Sequence, residues 1–282
     1  MKTQVNGAVL IISTFITSTT VAQLPDYSAP VIYARTGITS FNLPDGSSLA
    51  SPTISIDDAR QVALDVNFVG DTGNAGLFYG SSTSGVATGG IVFDADDIIT
   101  GEPSLSGQGQ TIFSVGIDAD LFFYDVMLES TTPLNLPLGV TSTSSLTLDA
   151  EQRVGGRLRF GFDGNVYGTF PVQTSGFPAL DVYAADSDIE ASSPYSFLYT
   201  PDMSRGPSTA TPRIAAKVST IAGFEFEEIH IFDAGGGSTL IAVETETDPM
   251  SPFSEFITNS VSISDDGSKV AFQAVDVGGS SG

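Results

Sequence analysis

The chain has 282 residues, 41% of them hydrophobic, and a formal net charge of −23. That length suits one large all-β domain, and that apolar share can build a packed core rather than a disordered chain. The charge argues against nucleic acid and anionic membrane surfaces as partners; the lack of cysteine excludes a disulfide framework, iron–sulfur clusters and thiolate zinc sites.

In chain order, the first element is a targeting segment. Lys2 precedes an apolar, hydroxyl-dotted run from Ala8 to Val21, and Thr20-Val21-Ala22 sets small residues before Gln23. This is the pattern of a secretory signal cleaved after Ala22, too short and too polar for a membrane span. Residues 23–282 then form one secreted or periplasmic domain, and no later segment is apolar enough to insert in a membrane.

Two strand candidates follow, "PVIYARTG" (Pro30–Gly37) and "ITSFNLP" (Ile38–Pro44). Next comes a strand–turn–strand unit that recurs. Its copies are Ser51–Val66, Glu102–Val115, Ser144–Phe160, Ala210–Ser219 (second strand only) and Ile263–Phe272. The second strands begin at Val62, Ile112, Val154, Ile214 and Val270. Those steps of roughly 40 to 60 residues match propeller blades. A third, aromatic strand follows at Gly76–Gly80, Leu121–Asp125, Asn165–Gly168 and Ile229–Asp233. A fourth, weaker one follows at Gly89–Asp94, Thr132–Leu138, Ala179–Ala184 and Thr239–Glu244.

Four short strands per unit predict an all-β fold, a five-bladed β-propeller with four antiparallel strands per blade. The blades fall at about 51–100, 101–140, 141–190, 191–250, and 251–282 completed by 26–50. The last copy has no third and fourth strand of its own, and the first residues of the mature chain carry a spare pair. A ring closed by its own two ends accounts for both, and it removes exposed sheet edges.

The stretch "ISDDGSKVAF" (Ile263–Phe272) resembles the TolB-type WD40-like repeat, whose core reads S-P-D-G-x-x-I-A-F. Ser264, Asp266, Gly267, Ala271 and Phe272 match, Val270 replaces Ile, and Asp265 stands where Pro is usual. "SGQGQTIF" (Ser106–Phe113) matches more loosely. The chain is also similar to secreted bacterial proteins with N-x-x-G-x-x-A-F units. These resemblances imply a propeller with Asp-Gly inner turns and a role in binding proteins or cell-envelope partners. They imply no catalytic residues.

Candidate chemistry is sparse. His230 is the sole histidine, in the alternating run Phe224–Asp233, which puts Glu228, His230 and Phe232 on one strand face. It is expected to be a structural residue rather than a triad base or zinc ligand. "GGSSG" (Gly278–Gly282) fits G-x-S-x-G but lacks the following helix of a nucleophile elbow. "DAGGGSTL" (Asp233–Leu240) lacks a phosphate-loop lysine and reads as the loop between two strands. Acids group at Asp94, Asp96, Asp97 and Glu102, at Asp118 and Asp120, and at Asp186, Asp188 and Glu190. None has EF-hand spacing; solvated turns are the leading reading and calcium the lesser one. No catalytic or cofactor residue is assigned. The leading expectation is a non-catalytic propeller that binds a protein, polysaccharide or small ligand on one face or in its channel mouth. The alternatives are a glycoside hydrolase using carboxylates of the central channel and a fragment of a longer surface repeat protein.

Overall fold

The computed structural model describes residues 32–34, 42–57, 59–68, 75–95, 99, 103–116, 120–162, 164–206, 211–220 and 226–278. The expected signal segment and the Gly278–Gly282 motif beyond Gly278 lie outside the described residues. Every named element is a strand.

The strands fall into consecutive units. Unit 1 comprises β1 (Ser48–Ile56), β2 (Gln61–Asn67), β3 (Ala75–Thr83) and β4 (Val86–Ala95). Unit 2 comprises β5 (Ser104–Leu105), β6 (Gln110–Val115), β7 (Asp120–Asp125) and β8 (Ser130–Pro133). Unit 3 comprises β9 (Val140–Leu148), β10 (Arg153–Phe160), β11 (Gly164–Pro171) and β12 (Asp181–Ala185). Unit 4 comprises β13 (Tyr195–Met203), β14 (Ile214–Thr220), β15 (Glu227–Asp233) and β16 (Gly237–Val243). Each is a four-stranded antiparallel meander in chain order. Unit 5 is a hairpin broken into two ladders: β17 (Phe253–Phe256) pairs with β20 (Ala274–Asp276), and β18 (Ser262–Ile263) with β19 (Val270–Ala271).

Three features differ from expectation. Thr132–Leu138 is strand only to Pro133; the Asn135 N–H instead donates to the Gln173 carbonyl. Unit 4 has a full first strand, β13, joined to β14 by a longer connection rather than a tight turn. The described part of the N-terminal segment sits on unit 1. Tyr33, Ala34 and Leu43 pack with Val62, Leu64, Val66 and Phe78, and the Tyr33 hydroxyl donates to the Arg60 carbonyl at 3.0 Å. The rest of Pro30–Pro44 that would close the ring lies largely outside the described residues.

One turn device recurs at the end of each first strand. The backbone N–H of Asp57, Ser106, Asp149, Ser204 and Ser264 donates to the carbonyl of Gln61, Gln110, Arg153, Arg213 and Lys269, respectively. In four of the five, the same residue's side-chain oxygen accepts the partner's N–H: Asp57 from Gln61, Asp149 from Arg153, Ser204 from Arg213, Ser264 from Lys269. These side chains satisfy donors that a two-residue turn would leave open.

Three residues after it, the tight turns need a left-handed backbone, supplied by Arg60, Gly109, Gln152 and Gly267. Gly267 has φ 69°, and a Cβ there would lie 3.0 Å from the Arg213 side chain. Gly267→Val should therefore lower stability by about 1–3 kcal/mol, read from the denaturant midpoint. An unchanged midpoint would show that this turn carries no strain.

The first strands follow one another through the fold. β1 lies beside β5, β5 beside β9, β9 beside β13 and β13 beside β18. Between the units, the meanders pack face to face. The Ala63–Leu77–Tyr79 face of unit 1 meets Leu105, Phe113 and Tyr124 of unit 2. Tyr167 and Tyr183 of unit 3 meet Leu198, Ile214 and Phe232 of unit 4. Stacked four-stranded meanders with adjacent first strands are the construction of propeller blades.

Candidate functional site

Chemistry-bearing side chains converge where units 4 and 5 meet, at the end of the fold formed by the connectors between units. Lys217 lies in the small, apolar run "IAAKVST" of β14, and the strand period turns it with Ala215 toward unit 5. It is 3% exposed. Its ammonium touches both oxygens of Glu227 at 2.9 Å, the Phe256 carbonyl at 3.1 Å and Thr258 Oγ1 at 3.1 Å. It also sits 4.0 Å above the centre of the Tyr199 ring, a cation–π contact. The Tyr199 hydroxyl donates to Glu227 Oε1 at 2.7 Å. An ammonium has three donors and no acceptor, so Lys217 is fully committed and is not an available nucleophile.

Glu244 completes the group. Its Oε1 accepts the Phe256 N–H at 3.1 Å. Phe256 is thus gripped at both backbone groups, its N–H by Glu244 and its carbonyl by Lys217. Burial, together with the charge of neighbouring Glu227 and a hydrogen bond between the two carboxyls, pushes the Glu244 pKa up to about 7. The Glu244 carboxyl thus holds its proton more tightly than a free one beside the Glu227 that pairs with Lys217. Beside this group lies a recess of about 370 Å³, further lined by Glu246, Ser254, Glu255 and Thr258.

The placement of Glu244 has a structural precedent one unit earlier. The connector from Asp186 to Tyr195 and that from Glu244 to Phe253 make the same bonds. Ser193 Oγ donates to Ala185 O and accepts the Tyr195 N–H; Ser251 Oγ donates to Val243 O and accepts the Phe253 N–H. Ser187 N and Thr245 N donate to Tyr195 O and Phe253 O, respectively. Asp186 and Glu244 occupy one position. Asp186 is satisfied inside its own neighbourhood by the N–H groups of Asn165 and Ile189. Glu244 is one methylene longer and reaches unit 5 instead.

The expected site residues are distributed as follows. His230 shares its strand face with Glu228 and Phe232; its Nε2 lies 2.6 Å from Glu228 Oε2, and its ring stacks on Phe232 and meets the edge of Tyr195. No serine hydroxyl bonds its imidazole among the described residues. Asp186 is a connector cap, and Glu190 accepts the Ser192 hydroxyl. Asp233–Leu240 is the β15–β16 hairpin, with Gly235 and Gly236 at φ 86° and 88°. Asp96, Asp97, Glu102 and Asp118 lie outside the described residues. Among those described, no group of three or more His, Cys, Asp or Glu side chains could hold a metal ion. Sequence reading missed Lys217, Glu227 and Glu244. The available signal was a lysine inside an apolar strand of a chain with only 10 basic residues.

No family model matches the chain, and no curated protein matches it. The likeness of Ile263–Phe272 to the TolB-type repeat therefore stands as a short local one. Among solved structures, TolB from Acinetobacter baumannii aligns with a TM-score of 0.45 at 13% identity, covering 72% of this chain and 45% of that one. The chain thus spans under half the length of that protein.

Proposed function

We propose that the chain is an exported, non-catalytic propeller that binds a protein or polysaccharide at its connector end. The observation that carries this is the recess between units 4 and 5, which shares its connector with Met250, a methionine left 88% exposed. An open polar recess beside a large exposed apolar side chain suits a binding surface. The same end presents Leu138, Phe162 and Ile189. Meanwhile Lys217 is spent on protein acceptors, so the reactive groups at this end serve the fold.

The test is site-specific photo-crosslinking in the natural host. A benzoylphenylalanine at position 250 should give a discrete adduct, and one at position 127, on the opposite end, should not. Adducts from position 127 alone would move the binding face; none from either would overturn the reading. The exported protein should begin at Gln23, which N-terminal sequencing decides.

A carboxylate hydrolase is the second reading, favoured by the raised pKa of Glu244. Glu227 and Glu244 are hydrogen-bonded to each other. A retaining glycosidase holds its carboxyls about 5–5.5 Å apart and an inverting one about 6.5–9.5 Å, leaving space for the sugar or water. This pair has no such space. Hydrolysis of aryl glycosides that disappears in Glu244→Gln would overturn the non-catalytic reading.

A further inference from the structure

Successive units are latched at their first strands, and the latch has a fixed grammar. Counting from the turn residue of each unit, the side chain two positions before it accepts the N–H one position before the turn residue of the next unit. Ser55 Oγ takes the Leu105 N–H at 3.3 Å, Ser104 Oγ takes the Leu148 N–H at 3.0 Å, and Asp202 Oδ2 takes the Ile263 N–H at 3.0 Å. In the remaining seam, Met203 N–H turns to Asp202 Oδ1 instead. The latching N–H points away from its own hairpin, because the next residue's N–H is the one bonded to the second strand. Without a neighbour it would be an unmade hydrogen bond at the fold's centre.

The apolar side chain on that residue follows the same rule. Leu105, Leu148, Met203 and Ile263 are all buried against the preceding unit, none more than 7% exposed. Ile56 of unit 1 holds the same position and is 63% exposed; Ile54 beside it is 53% exposed. Ile56 has no latch partner among the described residues. Unit 1 is therefore built to receive a preceding first strand. The position that supplies the accepting oxygen is Ser262 in unit 5, on a strand whose order in the series is last.

We propose that Ile54–Ile56 is the receiving half of a fifth seam, filled by the chain's own β18, with the Ser262 hydroxyl accepting the Ile56 N–H. Two observations favour the chain's own last unit. Unit 5 is only two strands wide, and among the described residues no further strand pairs with β19 or β20 on its outer side. The N-terminal residues Tyr33, Ala34 and Leu43 already cover the face of unit 1 that a preceding blade would touch. Closure brings those two half-built ends together and covers Ile54 and Ile56 at once.

The chain has no cysteine, which makes the test clean. In the full chain, Ile56→Cys with Ser262→Cys is oxidised, and the products are resolved without reductant and mapped by mass spectrometry. Both positions are exposed in the open arrangement, so the pair does not disturb a core. Ser55→Cys with Leu105→Cys, across a seam already made, is the control for disulfide geometry. The expected result is a monomer with a 56–262 disulfide, formed to the same extent as the control pair. A covalent dimer would overturn the proposal and give the seam to a second copy. Free thiols at both positions, with the control pair oxidised, would overturn it in favour of an open arc. If the control pair fails to fold, a monomer with a 56–262 disulfide still supports the proposal, and a covalent dimer or free thiols at both positions in a folded chain still overturn it.

Discussion

Lys217→Met should cost about 3–5 kcal/mol of stability. The arithmetic is that of a buried ion pair with one partner removed. Glu227 is 12% exposed and loses its cation, and the Phe256 carbonyl and Thr258 hydroxyl lose their donor. Because these acceptors lie in unit 5, the damage is local as well as global. Amide exchange across Phe253–Asp276 should accelerate more than exchange in β1–β4. Adding Glu227→Gln removes the uncompensated charge and should recover part of the loss, since a neutral pair costs less to bury than a lone carboxylate. A denaturant midpoint within about 1 kcal/mol of the parent would mean that the cluster does not hold the junction.

How much of this was legible beforehand follows from which residues announce their backbone. The second strands beginning near Val62, Ile112, Val154, Ile214 and Val270 were readable, because alternation after a polar turn is a strong local signal. Gly267 and Gly109 advertised their left-handed turns. Arg60 and Gln152 adopt the same conformation without any glycine to mark it, so their turns read only as polar gaps. The first strand of unit 4 was hidden by the longer connection after Ser204, which breaks the compact pattern. Its position was nevertheless written in the tetrapeptides Ser193-Pro194-Tyr195-Ser196 and Ser251-Pro252-Phe253-Ser254, a connector repeat with identical bonds. The site was harder. Lys217 and Glu227 lie in neighbouring strands but Glu244 comes from a connector and Phe256 from the next unit. Their meeting depends on how units 4 and 5 pack, which local pattern does not encode.

Stability should fall as pH rises from about 5 to about 8, and Glu244 should account for part of the fall. The native Glu244 carboxyl titrates at about 7, against an ordinary value of 4.5. Between those two pH values the folded chain holds a proton that the unfolded chain releases, so unfolding is disfavoured by acid there. The contribution is full below 4.5 and is lost as pH climbs through 7. Above 7, an ionised Glu244 still accepts the Phe256 N–H but is repelled by neighbouring Glu227, and that repulsion is the cost that appears with rising pH. Other groups around them do not cancel this. Glu246 and Glu255 add negative charge, and Tyr199 stays neutral because burial raises its pKa. Self-repulsion of 33 acidic residues also lowers stability with pH, so the raw profile does not isolate one group. The difference between the parent chain and Glu244→Gln does. The glutamine keeps an oxygen for the Phe256 N–H but cannot ionise. The two proteins should match near pH 5, and the variant should be more stable by roughly 1–2 kcal/mol at pH 8, less than the full shift implies because water in the recess screens the pair. Parallel profiles across that range would place the proton elsewhere and leave Glu244 a simple acceptor for Phe256, with no part in the pH response.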